Sequence, residues 1–272
     1  MFHRLKAIAR DITPPIVMRR LRPYPLTVDP IPGPAPNHGF FGDYPSFAAA
    51  LAASNHYDAP AVAKRVADSL AAFQTFSLPH FIDSRIQQIH SVFTMLDQDD
   101  LPLSVLDVGG AAGVYFHYLR LLSPRLPLNW TVLELPGIVE AVRNIPSPVT
   151  FVDQIERADR VYDVALASGS LQYFEDPAAG IKTCFEKGKR IILNRMPVTA
   201  EPEHTIRVQK VPPHLHEASM PVWFFSEDRL IECIRQFGSI DLAWDVAADE
   251  NTWAQGGAIA MRGYLCSSAV AR

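Results

Sequence analysis

Cysteines are few in this chain, and long apolar runs are missing from it. Its three cysteines, Cys184, Cys233 and Cys266, are far apart and form no CxxC pair. This argues against a catalytic or metal-binding role, so we expect reduced cysteines that serve packing. No stretch approaches the roughly 18 consecutive apolar residues of a membrane span, and the amino end lacks the apolar core of a secretory signal. We therefore expect a cytoplasmic protein.

A surplus of basic residues is also missing. The 272 residues include 25 Lys and Arg against 29 Asp and Glu, for a net charge of −4. A protein that covers nucleic-acid phosphates normally has a basic surplus, so we expect no nucleic-acid partner. With 48% hydrophobic residues the chain can bury a sizeable core. Its length fits one large α/β domain, alone or with a small appendage.

Proline is concentrated near the amino end. Residues 14–36 contain eight of the 23 prolines, and because proline fixes φ and removes a backbone donor, they predict an extended connector. Residues 1–12 fit a short amphipathic helix, and a basic run follows at residues 19–22. Two interpretations stay open, a weak peripheral contact with the inner face of the membrane or a solvated terminus. We treat residues 1–43 as a basic, Pro-rich extension.

Apolar spacing divides the rest of the chain in two. Ala-rich segments with helical spacing predict a helical subdomain or lid over residues 44–98. In residues 99–272 short apolar runs alternate with helix-length segments, which is typical of βαβ units. The predicted strands are LSVLDV, NWTVLEL, PVTFVD, YDVALAS, KRIILNR, SIDLAWDV and GGAIAMRGYLC. No helix separates the last two, so we expect a Rossmann-like α/β fold with a seven-stranded parallel sheet whose last strand is antiparallel.

A glycine turn follows the first of these strands, in the stretch VLDVGGAAGVY. Glycine permits close backbone approach, and the helix that follows offers free N–H groups to an anion. We therefore expect a ligand with an anionic end here; a plain tight turn is the alternative. The dinucleotide pattern G-x-G-x-x-G fails, because Val114 or Tyr115 takes the place of its third glycine, and the Gly-Lys of a P-loop is absent. The pattern that fits is D-x-G-x-[G/A]-x-G, formed by Asp107, Gly109, Ala111 and Gly113.

An acid lies at the end of the second predicted strand. Glu134 closes the apolar run of WTVLELPG, 21 residues after Gly113. A carboxylate at this point of a nucleotide-binding sheet accepts hydrogen bonds from ribose hydroxyls. We therefore predict Glu134, together with Leu135, as part of a cofactor site.

The acid and glycine spacing resembles motif I of class I S-adenosylmethionine (SAM)-dependent methyltransferases, with alanine at the family's middle glycine. The resemblance implies SAM as the cofactor. It implies that the turn residues Asp107, Gly109, Gly110, Ala111 and Gly113 bind it. By the same resemblance, Asp153 and Gln154 after the third strand would face the adenine; a helix N-cap is the alternative for Asp153. Ser168 and Gly169 after the fourth strand would lie near the reacting methyl group.

Nearly the whole chain resembles an uncharacterised bacterial family of class I methyltransferases. The matching stretches include FGDYPSFAAALAASNHYDAPAV, LELPGIVEA, ASGSLQYFEDP and ILNRMP. This resemblance implies the seven-stranded methyltransferase sheet over residues 99–272. It also implies a small-molecule acceptor or one linked to a carbohydrate or glycolipid, and we expect methylation at oxygen.

The general base is not identified by the sequence. Methyl transfer needs alignment and desolvation, and a base as well when the acceptor is a hydroxyl. The candidates are Tyr173, after the fourth strand, and His214 and His216, in a Pro-rich insert before the last helix. We predict no metal site. Two other interpretations stay open: a catalytically inactive binding or scaffold protein that keeps the fold, and an NAD(P)-dependent oxidoreductase, which the failed third glycine disfavours.

Overall fold

The computed structural model describes residues 37–55, 59–96, 102–211, 218–246 and 260–270. The predictions for the first 36 residues lie outside these ranges. So do the two candidate histidines, His214 and His216.

Helix starts follow local sequence signals. Ser46 precedes the first helix, and its Oγ accepts a hydrogen bond from the Ala49 N–H at 3.1 Å. Asp176 does the same for the Ala179 N–H at 3.0 Å, in front of a proline at the first helical position, and both are typical helix starts. The α-helices in the described ranges are α1 (Phe47–Ala52), α2 (Ala59–Ala72), α3 (Ser84–Leu96), α4 (Val114–Leu122), α5 (Pro136–Val142), α6 (Pro177–Lys187) and α7 (Glu227–Arg235).

Ten strands occur in the described part of the chain, and they join into one sheet. In chain order they are β1 (Gly39–Tyr44), β2 (Leu103–Val108), β3 (Leu128–Leu133), β4 (Thr150–Val152), β5 (Tyr162–Ser168), β6 (Gly188–Thr199), β7 (Thr205–Lys210), β8 (Ser219–Ser226), β9 (Gly238–Val246) and β10 (Ala260–Ser268).

Seven of these strands form the predicted sheet, in the order β4-β3-β2-β5-β6-β10-β9. The pairs from β4 to β6 are parallel, and β10 is antiparallel to both β6 and β9. The strand order changes direction between β2 and β5, which is the switch point where open α/β sheets bind ligands. The prediction of a Rossmann-like seven-stranded sheet with an antiparallel last strand is confirmed.

Helices cover both faces of this sheet. On one face α3 and α4 bury side chains such as Phe93 and Phe116 against Trp130 of β3. On the other, α6 and α7 bury Phe185 and Ile234 against the central strands. Strands that are buried on both faces read as continuous apolar runs. This is why VLDV and YDVALAS were recognisable as strands.

Three strands form an antiparallel extension that the sequence analysis did not predict. β7 pairs with β8 and with β1, and Val198 and Thr199 of β6 join β8 to the main sheet. The region read as a Pro-rich insert is therefore largely a hairpin. The strand β1 crosses the expected boundary at residue 43, so the three-part division stays a prediction.

The cysteines are free thiols, two buried and one half-buried. Cys184 and Cys266 lie in the core cluster between the sheet and α6, and burial raises the pKa of each thiol to about 12. The expectation that the cysteines serve packing is confirmed. Within the described ranges, no helix has both the length and the apolar character needed to cross a bilayer.

Candidate functional site

The glycine turn leaves the end of β2 through a series of left-handed backbone conformations. Gly109 has φ +71°, Ala111 +49° and Gly113 +69°. The Gly109 N–H donates to the Leu133 carbonyl at 2.9 Å, which ties the turn to the end of β3. Left-handed alanine costs conformational energy, and such strain is concentrated at functional sites.

Protein atoms lie directly against two of the turn's glycines. A Cβ at Gly109 would stand 2.5 Å from the Ser170 Cβ, and one at Gly110 would stand 2.3 Å from the Asp107 Cγ. Packing within the protein therefore requires glycine at these two positions. The sequence predicted that these glycines make room for a ligand, but packing against Ser170 and Asp107 requires them as well. Gly109 and Ala111 do, however, line a cavity.

Glu134 faces the glycine turn from the end of β3. Its Oε1 accepts the Ala111 N–H at 3.0 Å and its Oε2 accepts the Leu135 N–H at 2.9 Å. Burial raises the pKa of this carboxyl, while the two N–H donors act in the opposite direction. Each oxygen keeps a lone pair for a further donor. The predicted acid is thus held rigidly, with Leu135 beside it, in the wall of the same cavity.

Asp107 is placed behind the turn, outside the cavity wall. The residue is 1% exposed, and its Oδ2 accepts the indole N–H of Trp130 at 3.1 Å. Burial, together with the charge of Glu134, raises the pKa of its carboxyl from 3.8 to about 7, while the hydrogen bond from Trp130 acts in the opposite direction. Asp107 therefore supports the turn from below. Gly113 has a similar place, since it directly precedes α4 and a Cβ there would stand 3.2 Å from the Val149 Cγ2.

The structure does not bring Asp153 and Gln154 into the cavity of Glu134. Asp153 lies in the wall of a separate hollow beside β4, and its Oδ1 pairs with Arg157 at 2.8 Å. Gln154 is exposed in front of a short 3-10 helix. Their predicted contact with adenine has no counterpart in this arrangement and stays a prediction.

The end of β5 contributes Gly169 to the cavity and Ser168 to a polar network behind it. The Ser168 Oγ lies 2.7 Å from the Tyr115 hydroxyl and accepts the Asn194 amide at 3.1 Å. Burial raises the pKa of Tyr115, so it stays protonated. Ser170 donates to the Val108 carbonyl at 2.6 Å. These bonds fix the end of β5 against the ends of its two neighbouring strands.

The cavity has a volume of about 530 Å³, and we divide its lining residues into two halves by the elements that they belong to. The first half contains the predicted cofactor residues Gly109, Ala111, Glu134, Leu135 and Gly169. The second half is formed by the antiparallel extension, by α1, by Arg65 of α2 and by the segment after β5. Cavities of 300 to 1,000 Å³ are typical of small-molecule sites, so this one has room for a nucleotide cofactor.

Tyr173 lies where the two halves meet. Its hydroxyl donates to Gln209 Oε1 at 2.6 Å, across from the end of β7. The tyrosine was a candidate base, and its proximity to the cavity agrees with a role at the acceptor. No position is described for the other two candidates, His214 and His216.

Sequence reasoning missed several residues of the second half, among them Phe47, Leu51, Arg65, Gln209 and Met220. The period-two alternation of TIRVQK was available as a strand signal, and the burial of β7 follows it. The neighbouring prolines hid that signal. No local pattern indicates that α1, α2 and β7 meet at one cavity.

Solved structures with a similar fold include SAM-dependent methyltransferases and proteins with a bound methyltransferase product. The N-terminal domain of EvdMO1 with S-adenosylhomocysteine (SAH) bound is 10% identical, with a TM-score of 0.48 over 75% of this chain and 96% of that chain. The N-methyltransferase NodS from Bradyrhizobium japonicum, in complex with SAH, is 11% identical, with 0.42 over 75% and 98%. A SAM-dependent methyltransferase from Methanosarcina mazei is 13% identical, with 0.47 over 65% and 96%.

No protein-family model and no curated protein matches the sequence of this chain. At identities of 10 to 13% and TM-scores below 0.5, the likenesses carry no argument of their own. The functional assignment rests on the strand order and on the cavity.

Proposed function

We propose that this protein is a SAM-dependent methyltransferase. The observation that carries the proposal is the Glu134 carboxylate, held by the N–H groups of Ala111 and Leu135 in the wall of one cavity with the glycine turn. An acid and a glycine turn at adjacent strand ends are the two contacts that a nucleoside cofactor needs. The seven-stranded order supports the same assignment.

The residues of the first half fit SAM. SAM supplies a methyl group on a sulfonium. Glu134 would accept hydrogen bonds from the ribose hydroxyls, and the backbone at Gly109, Ala111 and Gly169 would contact the methionine portion. Asp107 and Gly110 support the turn. Asp153 and Gln154 at the adenine, and Ser168 near the methyl group, remain part of the proposal as predictions.

The second half of the cavity would align the acceptor. A bound acceptor would displace water from this half, which favours a displacement that needs alignment and desolvation. We propose a small-molecule acceptor, methylated at oxygen, either free or linked to a carbohydrate or glycolipid. Tyr173, His214 and His216 remain the candidates for handling the acceptor proton.

We also propose the division of the chain into three parts that the sequence predicts. Residues 1–43 would be a basic extension, residues 44–98 a helical lid, and residues 99–272 the SAM-binding domain. We propose a cytoplasmic location, with a weak membrane contact through the basic extension as the alternative to a solvated terminus.

Calorimetry with SAM and with SAH tests the proposal. We expect Glu134→Gln to weaken SAH binding by about 10- to 100-fold, because charge-assisted hydrogen bonds contribute about 1.5–3 kcal/mol. The matched control is Glu186→Gln in α6, where the exposed carboxylate pairs with Lys182; it should leave binding unchanged. Wild-type protein that binds neither compound at about millimolar concentration would end the proposal.

Turnover separates an active enzyme from an inactive protein of the same fold. An active enzyme releases SAH from SAM only when an acceptor is present, whereas a binding or scaffold protein binds SAM and releases none. Screening sugars, glycosides and phenols for stimulated SAH release would make the distinction. Titration with NAD in place of SAM addresses the oxidoreductase alternative.

A further inference from the structure

The strand β6 leaves regular strand geometry just beyond the point where its pairing with β5 ends. Arg195 has φ +57°, a left-handed value that is uncommon for residues other than glycine. Leu193 opposes Tyr264 and Met196 opposes Arg262, so two residues of β6 face a single residue of β10. This is a β-bulge, and bulges beside active sites redirect a side chain. Since strained backbone is concentrated at functional sites, Arg195 is a candidate functional residue.

The Arg195 guanidinium lies against Gly169, which follows the end of β5. A Cβ on Gly169 would stand 3.1 Å from the Arg195 Nη1 and 3.3 Å from its Cζ. Any larger residue at this position would therefore press on the guanidinium. Gly169 also lines the cofactor half of the cavity. The positive charge of Arg195 is thus placed directly beside a residue of that wall.

Two further groups show where the guanidinium lies. Burial raises the pKa of Tyr115, and the charge of Arg195 acts in the opposite direction. The pKa of Asp83 is lowered, mainly by the hydrogen bond from Arg85 and in smaller part by the charge of Arg195. Tyr115 is the second residue of α4, and Asp83 directly precedes α3. The guanidinium is therefore close to the start of α4 as well as to the end of β5.

The start of α4 favours an anion for a separate reason. The first N–H groups of a helix have no intrahelical acceptor, and the helix dipole adds partial positive charge. The proposed function places the methionine portion of SAM at Gly109, Ala111 and Gly169, and this portion ends in an α-amino acid. Its carboxylate loses hydration on binding, which a guanidinium compensates with charge-assisted hydrogen bonds. A guanidinium has five N–H donors, so Arg195 can make these bonds in addition to its other contacts.

We propose that Arg195 binds the carboxylate of the amino-acid portion of SAM and SAH, and that the bulge in β6 and the glycine at Gly169 place its guanidinium there. The inference rests on the proposed function, since it concerns the cofactor of the same reaction. Arg195 is then the residue that selects adenosyl compounds with a complete amino-acid portion. Compounds without the carboxylate lose this contact.

Two ligands that differ in one group isolate the carboxylate. Decarboxylated SAH keeps the adenosine, the thioether and the amino group of SAH. In calorimetry on the full chain, we expect wild-type protein to bind SAH about tenfold more tightly than decarboxylated SAH, because the latter lacks the charge-assisted hydrogen bonds. Equal affinities would overturn the inference.

Variants then assign this preference to Arg195. Arg195→Gly removes the guanidinium and suits the backbone, because glycine adopts φ +57° without strain. We expect it to weaken SAH binding about tenfold and to change the affinity for decarboxylated SAH by less than about twofold. Arg195→Gln, which keeps a polar side chain, should have the same effect. The matched control is Arg229→Gln in α7, which removes an exposed guanidinium paired with Glu203 and should leave both affinities unchanged.

Other roles of Arg195 give different results. If it only fixes the segment at Asp83, or binds an anionic acceptor, both variants keep the wild-type preference for SAH over decarboxylated SAH, and the inference is overturned. In that case SAH still binds wild-type protein, and the proposed function stands. Wild-type protein that binds neither compound removes the proposed function itself. Urea unfolding of each variant shows whether a loss of SAH affinity comes from a folded protein.

Discussion

Replacing Asp107 with asparagine tests whether one buried carboxyl makes the stability of this protein depend on pH. Asp107 is 1% exposed, and the Trp130 indole donates to its Oδ2 at 3.1 Å. Burial raises the pKa of the carboxyl from 3.8 to about 7 in the folded protein. Asparagine has nearly the same shape, keeps an oxygen for Trp130 and cannot ionise.

The sign and size of the effect follow from proton linkage. The folded state holds the proton of Asp107 more tightly than the unfolded chain does. Its stabilising contribution is therefore complete below about pH 4 and is lost as the pH rises to about 7. At about 1.4 kcal/mol per pKa unit, the full shift corresponds to about 4 kcal/mol, and about 2 kcal/mol of it is lost between about pH 5.5 and about pH 8.

Urea unfolding of both proteins at these two pH values measures the effect. We expect the free energy of unfolding of Asp107→Asn to rise by about 2 kcal/mol relative to wild type on going from the lower to the higher pH. Asp68→Asn, at an exposed position paired with Lys64, should follow the wild-type profile. If Asp107→Asn does so too, the carboxyl does not hold its proton in the folded state, and the reasoning from burial fails.

Two further predictions concern packing around the cavity. Gly109→Ala should lower the free energy of unfolding by about 2 kcal/mol or more, because φ is +71° and the new Cβ would stand 2.5 Å from the Ser170 Cβ. The control is Gly137→Ala in α5, where a Cβ meets nothing within 4 Å. This substitution should raise the free energy of unfolding by about 0.5–1 kcal/mol. Equal effects would contradict the described turn. Ser219→Ala should lower the free energy of unfolding in urea by about 1–2 kcal/mol. The Ser219 Oγ accepts the Asn55 N–H at 2.8 Å and donates to the Asn55 Oδ1 at 2.6 Å, and the substitution removes both bonds. A loss near zero would show that water replaces both bonds.

The parallel strands of the core could be predicted from the sequence because each is indicated by a pattern of consecutive residues. Strands such as β2 and β5 are buried on both faces, and their apolar runs are unbroken. The turn after β2 needs left-handed backbone at Gly109 and Gly113, which only a few residue types adopt readily. Glu134 could be placed because the chain order of parallel strands puts its strand end beside that turn. These signals depend on neighbours in the sequence, so one sequence was enough to find them.

The second half of the cavity was decided by the tertiary structure. β1 and β7 pair across more than 160 residues of chain, and no local pattern encodes that partner. The bond between Tyr173 and Gln209 exists only because the β7–β8 hairpin folds over the end of β5. Asp153 shows the converse: its position after a strand suggested a ligand contact, but Arg157, one helical turn away, binds its carboxylate outside the cavity. Local sequence determines which backbone conformations are possible, whereas long-range strand pairing determines which side chains share a cavity.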